Sequence, residues 1–302
     1  MFKQTLKKHL INARGSRIKD KIIVFESDDW GSIRIPSKTI QQQLVAKELI
    51  KNKDPFSKYD ALETSEDYYA LYEVFRKFKD SKGNHPVLTA NVILNNPDFK
   101  KIAAGNLETY YNESFLETYK NYSGSEDAIS ALQEGINQQL IVPQFHGNEH
   151  LNVSGWMEFL KEGNERYHYA FERNCFAIDE INPENRRGNL MAAYDYNKTL
   201  ELDYIKKSIV DGLNQFEEIF GFKSKTTIAP CYVWDNAVEQ VFKQQEVMSF
   251  QGSYVQNCLK KNTVILDNLI KKDSTIMCAT DFLNQALHLM LIGLTNVWKV
   301  LT

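Results

Sequence analysis

Two acidic residues stand side by side in a short polar cluster near the start of the chain, Glu26–Gly31. The apolar run Lys21–Phe25 precedes this cluster and predicts a buried strand. Successive side chains of a strand alternate in direction, so the carboxylates of Asp28 and Asp29 should point different ways. One of them can then hold a metal ion while the other faces a water molecule beside it. An Asp-rich turn or helix cap is the alternative interpretation.

A second polar cluster, Pro143–His150, contains two histidines four residues apart. His146 and His150 would lie on one face of a helical turn, close enough to share one ion. Chance alone places this spacing on many helices. Here the pair comes directly after the predicted strand Leu140–Val142, and the chain has only six histidines. That position favours a metal site.

Together the two clusters offer one carboxylate and two imidazoles, a ligand set that leaves coordination positions open for water and substrate. A further carboxylate beside them can serve as general base. At these residues the chain resembles the polysaccharide deacetylases (NodB-homology, carbohydrate esterase 4-like), whose motifs are an Asp-Asp pair ending the first strand and a later His-x-x-x-His. The resemblance implies that Asp28 is the catalytic base and that Asp29, His146 and His150 are the metal ligands.

The resemblance also implies a fold, the distorted (β/α)7-type barrel, in a single domain spanning residues 1–302. More than a hundred residues separate the two motifs, so this domain should house an insertion between them. From about Thr280 onward the pattern departs from a final strand and loop, which predicts a barrel that is incomplete at its C-terminal end.

The third motif of the family, Arg-x-Pro followed by an aromatic residue, has its counterpart at Ile228–Asp235, which lacks the arginine. Aromatic and acidic side chains next to the motifs are predicted to contact a sugar: Trp30, Tyr232, Trp234 and Asp235. A core strand that ends in aromatic residues explains the later three equally well. The family's general acid is a histidine near the C-terminus, and the candidate here is His288, although its apolar neighbours favour a core helix.

Strands and helices alternate along the chain, as expected of an α/β fold with a parallel sheet. Further strands are predicted at Pro86–Val92 and Thr226–Ala229. Helices are predicted after Thr64, after Ser125, and from Leu202 to a stop at Gly221. In such folds the functional residues lie on loops at the carboxyl ends of strands, which is where both polar clusters occur.

Composition narrows the classes of function. The 302 residues carry 36 basic and 39 acidic side chains, so the charge favours neither a nucleic acid nor an anionic membrane surface as partner. The N-terminal segment has no apolar core of a secretory signal, and the longest apolar stretch, Ala286–Leu294, is far shorter than the roughly 20 residues of a membrane span. The four cysteines lie far apart, which is typical of a reducing, cytoplasmic compartment.

The sequence therefore predicts a metal-dependent hydrolase that removes acetyl groups from an N-acetylated or O-acetylated sugar, with Zn²⁺ as the divalent ion that fits the ligands best. Two alternatives remain open. The missing arginine is also expected of a catalytically degenerate homologue that binds a glycan without hydrolysing it. Another metal-dependent hydrolase would use the same Asp-His-His site.

Overall fold

A computed structural model of the chain describes residues 22–179 and 190–252. The candidate acid His288 and the segment that follows Thr280 lie outside these residues. The strands are β1 (Phe25–Trp30), β2 (Leu88–Ile93), β3 (Asn95–Pro97), β4 (Asn112–Ser114), β5 (Ile141–Gly147), β6 (Thr226–Ile228) and β7 (Ser249–Gln251). The helices are α1 (Lys38–Ala46), α2 (Pro55–Lys58), α3 (Ser65–Arg76), α4 (Phe99–Ala104), α5 (Phe115–Asn121), α6 (Ala128–Asn137), α7 (Val153–Lys161), α8 (Glu165–Phe171), α9 (Thr199–Phe220) and α10 (Asn236–Gln244).

A parallel sheet forms the centre of the described fold, with its strands in the order β1-β2-β5-β6-β7. The sheet is curled. Its two outer strands come close enough for the Gln251 amide on β7 to donate a hydrogen bond to the Glu26 carboxylate on β1. The prediction of an α/β fold is confirmed, and the sheet forms a half-barrel. Seven strands stay a prediction, since the described residues contribute five to this sheet.

Several elements begin and end for the reasons that the sequence indicates. Thr64 caps α3, and its side chain and that of Asp67 bond each other's backbone in a capping box. The long helix α9 ends at Gly221, whose φ of +77° is the left-handed conformation typical of a helix stop. The helix expected after Ser125 is α6, which begins three residues later at Ala128.

The first strand lies further along the chain than predicted. The expected strand was Lys21–Phe25, but Ile22, Ile23 and Val24 are exposed, and β1 begins at Phe25. Phe25 is paired with Leu88, the first residue of β2, so Ile22, Ile23 and Val24 have no partner in β2. The Asp pair consequently lies within the end of the strand rather than in a loop beyond it.

The helices cover the sheet and bury its apolar side chains. Phe145 of β5 packs on Phe242 of α10, with 6.0 Å between the ring centroids, and Phe115 of α5 lies against Phe220 of α9 at 6.3 Å. Between the two motifs the chain forms α1–α6, strand β2 and the antiparallel pair of β3 and β4, with α4 between the two strands of the pair. Among the described residues, no helix combines the length and the apolar character needed to cross a membrane.

Candidate metal centre

A bulge at the end of β1 brings both carboxylates of the Asp pair to the same region. The register between β1 and β2 shifts between Ser27 and Trp30, and Asp29 has a φ of +68°. A left-handed conformation is uncommon for a residue other than glycine, and it re-aims the side chain that regular alternation would turn away. The backbone thus places Asp28 and Asp29 side by side at the carboxyl end of the strand.

Gly31 fixes the turn that follows. Its φ is +85°, and a Cβ atom at this position would lie 2.6 Å from the carbonyl oxygen of Ile93. The carbonyl oxygen of Gly31 accepts a hydrogen bond of 2.8 Å from the buried side chain of Asn96. Only a residue without a side chain allows β1 to approach the end of β2 this closely.

The first histidine lies on the sheet itself. His146 is the sixth residue of β5, and it is buried. Its Nδ1 lies 2.8 Å from the carbonyl oxygen of Ile228 on β6. A carbonyl can only accept, so Nδ1 carries a proton, and in the neutral imidazole Nε2 presents the lone pair. Burial opposes a charge on His146, but its hydrogen bond to Asp29 and the charges of Asp28 and Asp29 outweigh burial and raise its pKa. An outer hydrogen bond of this kind orients the histidine ligands of metal sites.

The second histidine reaches the site from a turn and not from a helix, which corrects the expectation of a helical His-x-x-x-His. Backbone hydrogen bonds from Leu94 and Asn95 to the carbonyl oxygens of Gly147 and Asn148, 3.2 and 2.7 Å long, continue the pairing beyond β5. The chain then turns, and buried His150 faces back towards β1. The pairing of β5 with β2 thus continues into the residues that follow both strands, and it replaces the helical turn that the spacing predicted.

Three side chains converge on one point. The Nε2 atoms of His146 and His150 each lie 3.2 Å from Oδ1 of Asp29, and the three ligand atoms are all within 4.8 Å of one another. Atoms bound to one tetrahedral zinc ion at 2.0–2.1 Å are separated by about 3.3 Å. The spacing to Asp29 therefore matches a shared ion, and a candidate Asp-His-His metal site exists.

The charges of the three residues also fit a cation. Burial lowers the pKa of His150 to about 3, aided by the charges of Arg34 and His146 and opposed by Asp29, so this imidazole is neutral near pH 7. Burial raises the pKa of Asp29, but the charges of His150 and Arg34 and its contact with His146 outweigh burial and hold that pKa well below its usual range. An ionised carboxylate and two inward-facing imidazoles are the donors that a divalent transition-metal ion prefers.

Arg34 is a neighbour of the site that the sequence interpretation missed. Its guanidinium forms an ion pair with Oδ2 of Asp29 and leaves Oδ1 directed at the two histidines. The side chain of Arg34 is only 12% exposed and that of Asp29 30% exposed, so water screens the pair weakly. The clue was available in the sequence, because Arg34 is the first basic residue after the Asp pair.

The predicted base, Asp28, is held from the next strand. Asn91 of β2 is fully buried, and its Nδ2 donates a 2.9 Å hydrogen bond to Oδ1 of Asp28. Burial raises the pKa of Asp28, against the opposing charge of His146. Asn91 therefore fixes the position of one carboxylate oxygen of Asp28 from the neighbouring strand. Its clue was a polar residue inside an otherwise apolar predicted strand.

The predicted sugar contacts are placed differently from one another. Trp234 is buried and stacks on Phe250 of β7 at 5.4 Å between ring centroids. Asp235 caps α10, accepting hydrogen bonds from the backbone N–H groups of its second and third residues at 2.9 and 3.1 Å. Trp30 is partly buried against Tyr68 at 5.5 Å. Tyr232 is partly exposed in a left-handed turn, with φ of +57°. Their contact with a sugar stays a prediction.

Two other histidines and one cysteine have structural surroundings apart from this centre. Nδ1 of His85 lies 2.8 Å from the carbonyl oxygen of Phe78, and Nε2 of His168 lies 2.7 Å from that of Leu160. Cys175 is a buried free thiol whose pKa burial raises to about 12. None of these three side chains belongs to the Asp-His-His group.

Comparison with known proteins finds no family model and no curated protein that matches the chain. Solved structures of limited similarity are found. A polysaccharide deacetylase from Bacillus cereus has a similar structure at 10% sequence identity and a TM-score of 0.33, with 78% of this chain and 58% of that chain covered. A Bacillus anthracis protein assigned as a polysaccharide deacetylase is similar at 11% identity and a TM-score of 0.31, covering 81% and 66%. The chain thus spans less than two thirds of the length of either structure.

Proposed function

We propose that this protein is a metal-dependent hydrolase that removes acetyl groups from an N-acetylated or O-acetylated sugar or polysaccharide. The proposal is supported above all by one observation: the Nε2 atoms of His146 and His150 both lie 3.2 Å from Oδ1 of Asp29, beside a second carboxylate, Asp28. The family that the two motifs resemble supplies the reaction class. Acetyl transfer to water yields acetate and a free amine or hydroxyl group.

Asp29, His146 and His150 would hold the ion, and Zn²⁺ fits two imidazoles and a carboxylate best. A divalent ion bound there would polarise the acetyl carbonyl group and lower the pKa of a water molecule. The chain's own contribution is orientation. Ile228 holds His146 by its Nδ1–H group, and Arg34 holds Asp29 by Oδ2.

Asp28 would act as general base. The bond from Asn91 occupies Oδ1, so Oδ2 would accept the proton of the water molecule that adds to the acetyl carbonyl carbon. The C–N or C–O bond of the acetyl group then breaks, the freed nitrogen or oxygen atom takes up the proton that Asp28 accepted, and acetic acid leaves and ionises to acetate. A carboxylate whose pKa is raised by burial is a stronger base than an exposed one, and a general base of this kind is worth about 10²–10⁴ in rate.

The finer architecture belongs to the same proposal. A (β/α)7-type barrel would extend the described half-barrel, and residues 1–302 would form one domain in which the stretch between the motifs is an insertion. The carbohydrate-binding cleft would lie at the carboxyl ends of the strands, above the metal site.

Elemental analysis and an acetate-release assay on the full chain test this proposal. The purified protein should contain about one divalent ion per chain, and chelation should abolish acetate release from N-acetylated chito-oligosaccharides or O-acetylated xylan, with recovery on adding Zn²⁺. Activity that survives removal of the ion would overturn it. The absence of release from both substrate classes by a metal-loaded protein would also overturn it.

A glycan-binding homologue without activity is the second candidate, and one observation favours it. The Arg-x-Pro positions of the third motif are occupied by Ile228–Ala229–Pro230, which provide no arginine to the base. Metal-dependent binding of the same oligosaccharides without acetate release would select this candidate.

A further inference from the structure

The segment between α1 and α3, residues 47–64, is held by hydrogen bonds next to the candidate metal centre. Asp54 caps α2 by accepting a 2.9 Å hydrogen bond from the backbone N–H of Ser57, and Pro55 occupies the first turn of α2. Asp60 accepts hydrogen bonds from the backbone N–H groups of Arg34 and Ile35, at 2.7 and 2.6 Å. These bonds join the segment to the loop that carries Arg34, the partner of Asp29.

Two aromatic rings of this segment are exposed, those of Phe56 and Tyr59, and the Phe56 ring is the one beside Arg34. Phe56 is 66% exposed, although its side chain is wholly apolar. The Cζ atom of Arg34 lies 5.6 Å from the centroid of the Phe56 ring, and the same guanidinium contacts Asp29. A single guanidinium group therefore separates the ring from a metal ligand. Since two thirds of the side chain remain exposed, the ring is open to a further partner.

The chemistry of a sugar fits such a ring. A pyranose presents C–H groups on its faces and hydroxyl groups around its edge, so an open aromatic face can bury one face of a sugar and leave the hydroxyl groups in water. A ring that the fold already holds in place binds with little further loss of conformational entropy. By contrast, Trp234 is buried against Phe250 and offers no comparable open face.

We propose that Phe56 forms a subsite that stacks on the sugar next to the acetylated one, so that the substrate is an oligosaccharide or polymer rather than a monosaccharide. This inference rests on the proposed function, because it takes the acetylated residue to lie at the Asp-His-His centre. The ring stands one guanidinium group away from Asp29, which leaves the metal centre to the acetyl group and the ring to the neighbouring sugar.

The experiment compares substrates of two lengths. The ratio of kcat/KM for an N-acetylated tetrasaccharide to kcat/KM for the monosaccharide is measured for the wild-type protein, Phe56→Ala and Phe56→Tyr. An aromatic contact of about 0.5–1.5 kcal/mol corresponds to a loss of about twofold to tenfold in this ratio for Phe56→Ala. Phe56→Tyr keeps an aromatic face, so the ratio should stay at the wild-type value.

Phe78→Ala is the matched control, since Phe78 is also exposed but its carbonyl group contacts His85, just before β2 begins and thus at the other end of the sheet. This variant should keep the wild-type ratio. A Phe56 ring that merely supports Arg34 gives a different result, namely loss of bound metal and an equal fall in kcat/KM for both substrates. That result, or an unchanged ratio in Phe56→Ala, overturns the inference.

Binding measurements separate the inference from the proposed function. The tetrasaccharide is titrated calorimetrically into Asp28→Asn protein with and without Phe56→Ala. Acetate release by the wild type together with binding that ignores Phe56 would refute the subsite and retain the hydrolase. Binding that depends on Phe56, in a protein that releases no acetate from any substrate, would retain the subsite and refute the hydrolase. A protein that neither releases acetate nor binds the tetrasaccharide would refute both the subsite and the hydrolase.

Discussion

Replacing Gly31 with alanine should damage both the fold and the metal centre. The backbone has a φ of +85° at this residue, and a left-handed conformation costs an alanine about 1–2 kcal/mol. The new Cβ would also lie 2.6 Å from the carbonyl oxygen of Ile93 and 3.1 Å from Cβ of Phe115. Forcing an extra carbon into a packed site costs about a further 1–3 kcal/mol. We therefore expect Gly31→Ala to lower the free energy of unfolding by about 2–5 kcal/mol.

Gly163→Ala separates the two contributions. Gly163 has a similar φ of +73°, but nothing lies within 4 Å of the position where its Cβ would be. This variant should lose only the backbone contribution, about 1–2 kcal/mol. Urea unfolding of both variants and the wild type, monitored by circular dichroism, measures the difference.

The metal affinity provides the functional half of this prediction. The backbone N–H of Ser32 bonds the carbonyl oxygen of Asp29 across the turn at 3.0 Å, so relief of the clash at Gly31 must move the turn that holds Asp29. Competition with a chromogenic chelator should show weaker Zn²⁺ binding in Gly31→Ala and wild-type binding in Gly163→Ala. Equal stability losses in the two variants, with equal metal affinity, would refute the reasoning.

Four other changes test the centre and its surroundings. His146→Ala should lose most bound metal, because one of three protein ligands is removed; wild-type stoichiometry by elemental analysis would contradict the site. Asp28→Asn should keep the metal and lose at least about 10²-fold in kcat. Asn91→Ala should lower kcat in the wild type but not in Asp28→Asn protein, whereas additive losses would exclude action through Asp28. Burial raises the pKa of Glu63 from its ordinary 4.5 to about 7, so the unfolded chain releases this proton first. As the pH rises from 4.5 to 7, the free energy of unfolding of the wild-type protein should therefore fall by up to about 3 kcal/mol more than that of Glu63→Gln. Parallel pH profiles of the two proteins would contradict this.

The sequence predicts those features that local pattern controls. The α/β class, the capped start of α3 at Thr64 and the stop of α9 at Gly221 each depend on residues close together in the chain. The buried face of α3 shows the limit of this approach. Its buried residues are Phe75, Tyr68 and Tyr72, and the hydroxyl groups of the two tyrosines obscure their place in the core when the sequence is taken alone.

The missed features depend on pairing between distant segments. Asn91 meets Asp28 across 63 residues, and His146 meets Ile228 across 82. Nothing near Asp29 in the sequence indicates the shift in register that gives it a positive φ, because that shift is a property of the pairing of β1 with β2. The types of the residues that converge were therefore predictable, whereas the contacts that hold them were not.

The two histidines show why a motif can survive a wrong structural interpretation. On a helix, residues four apart share a face because of the 3.6-residue period. Here the same spacing takes the chain off the end of β5 and through a turn, and the imidazole centroids still lie 5.3 Å apart. What the chemistry requires is two Nε2 atoms near one carboxylate oxygen, and both backbone paths satisfy it. The spacing thus restricts the distance between the ligands and leaves the element to be decided by pairing with β2.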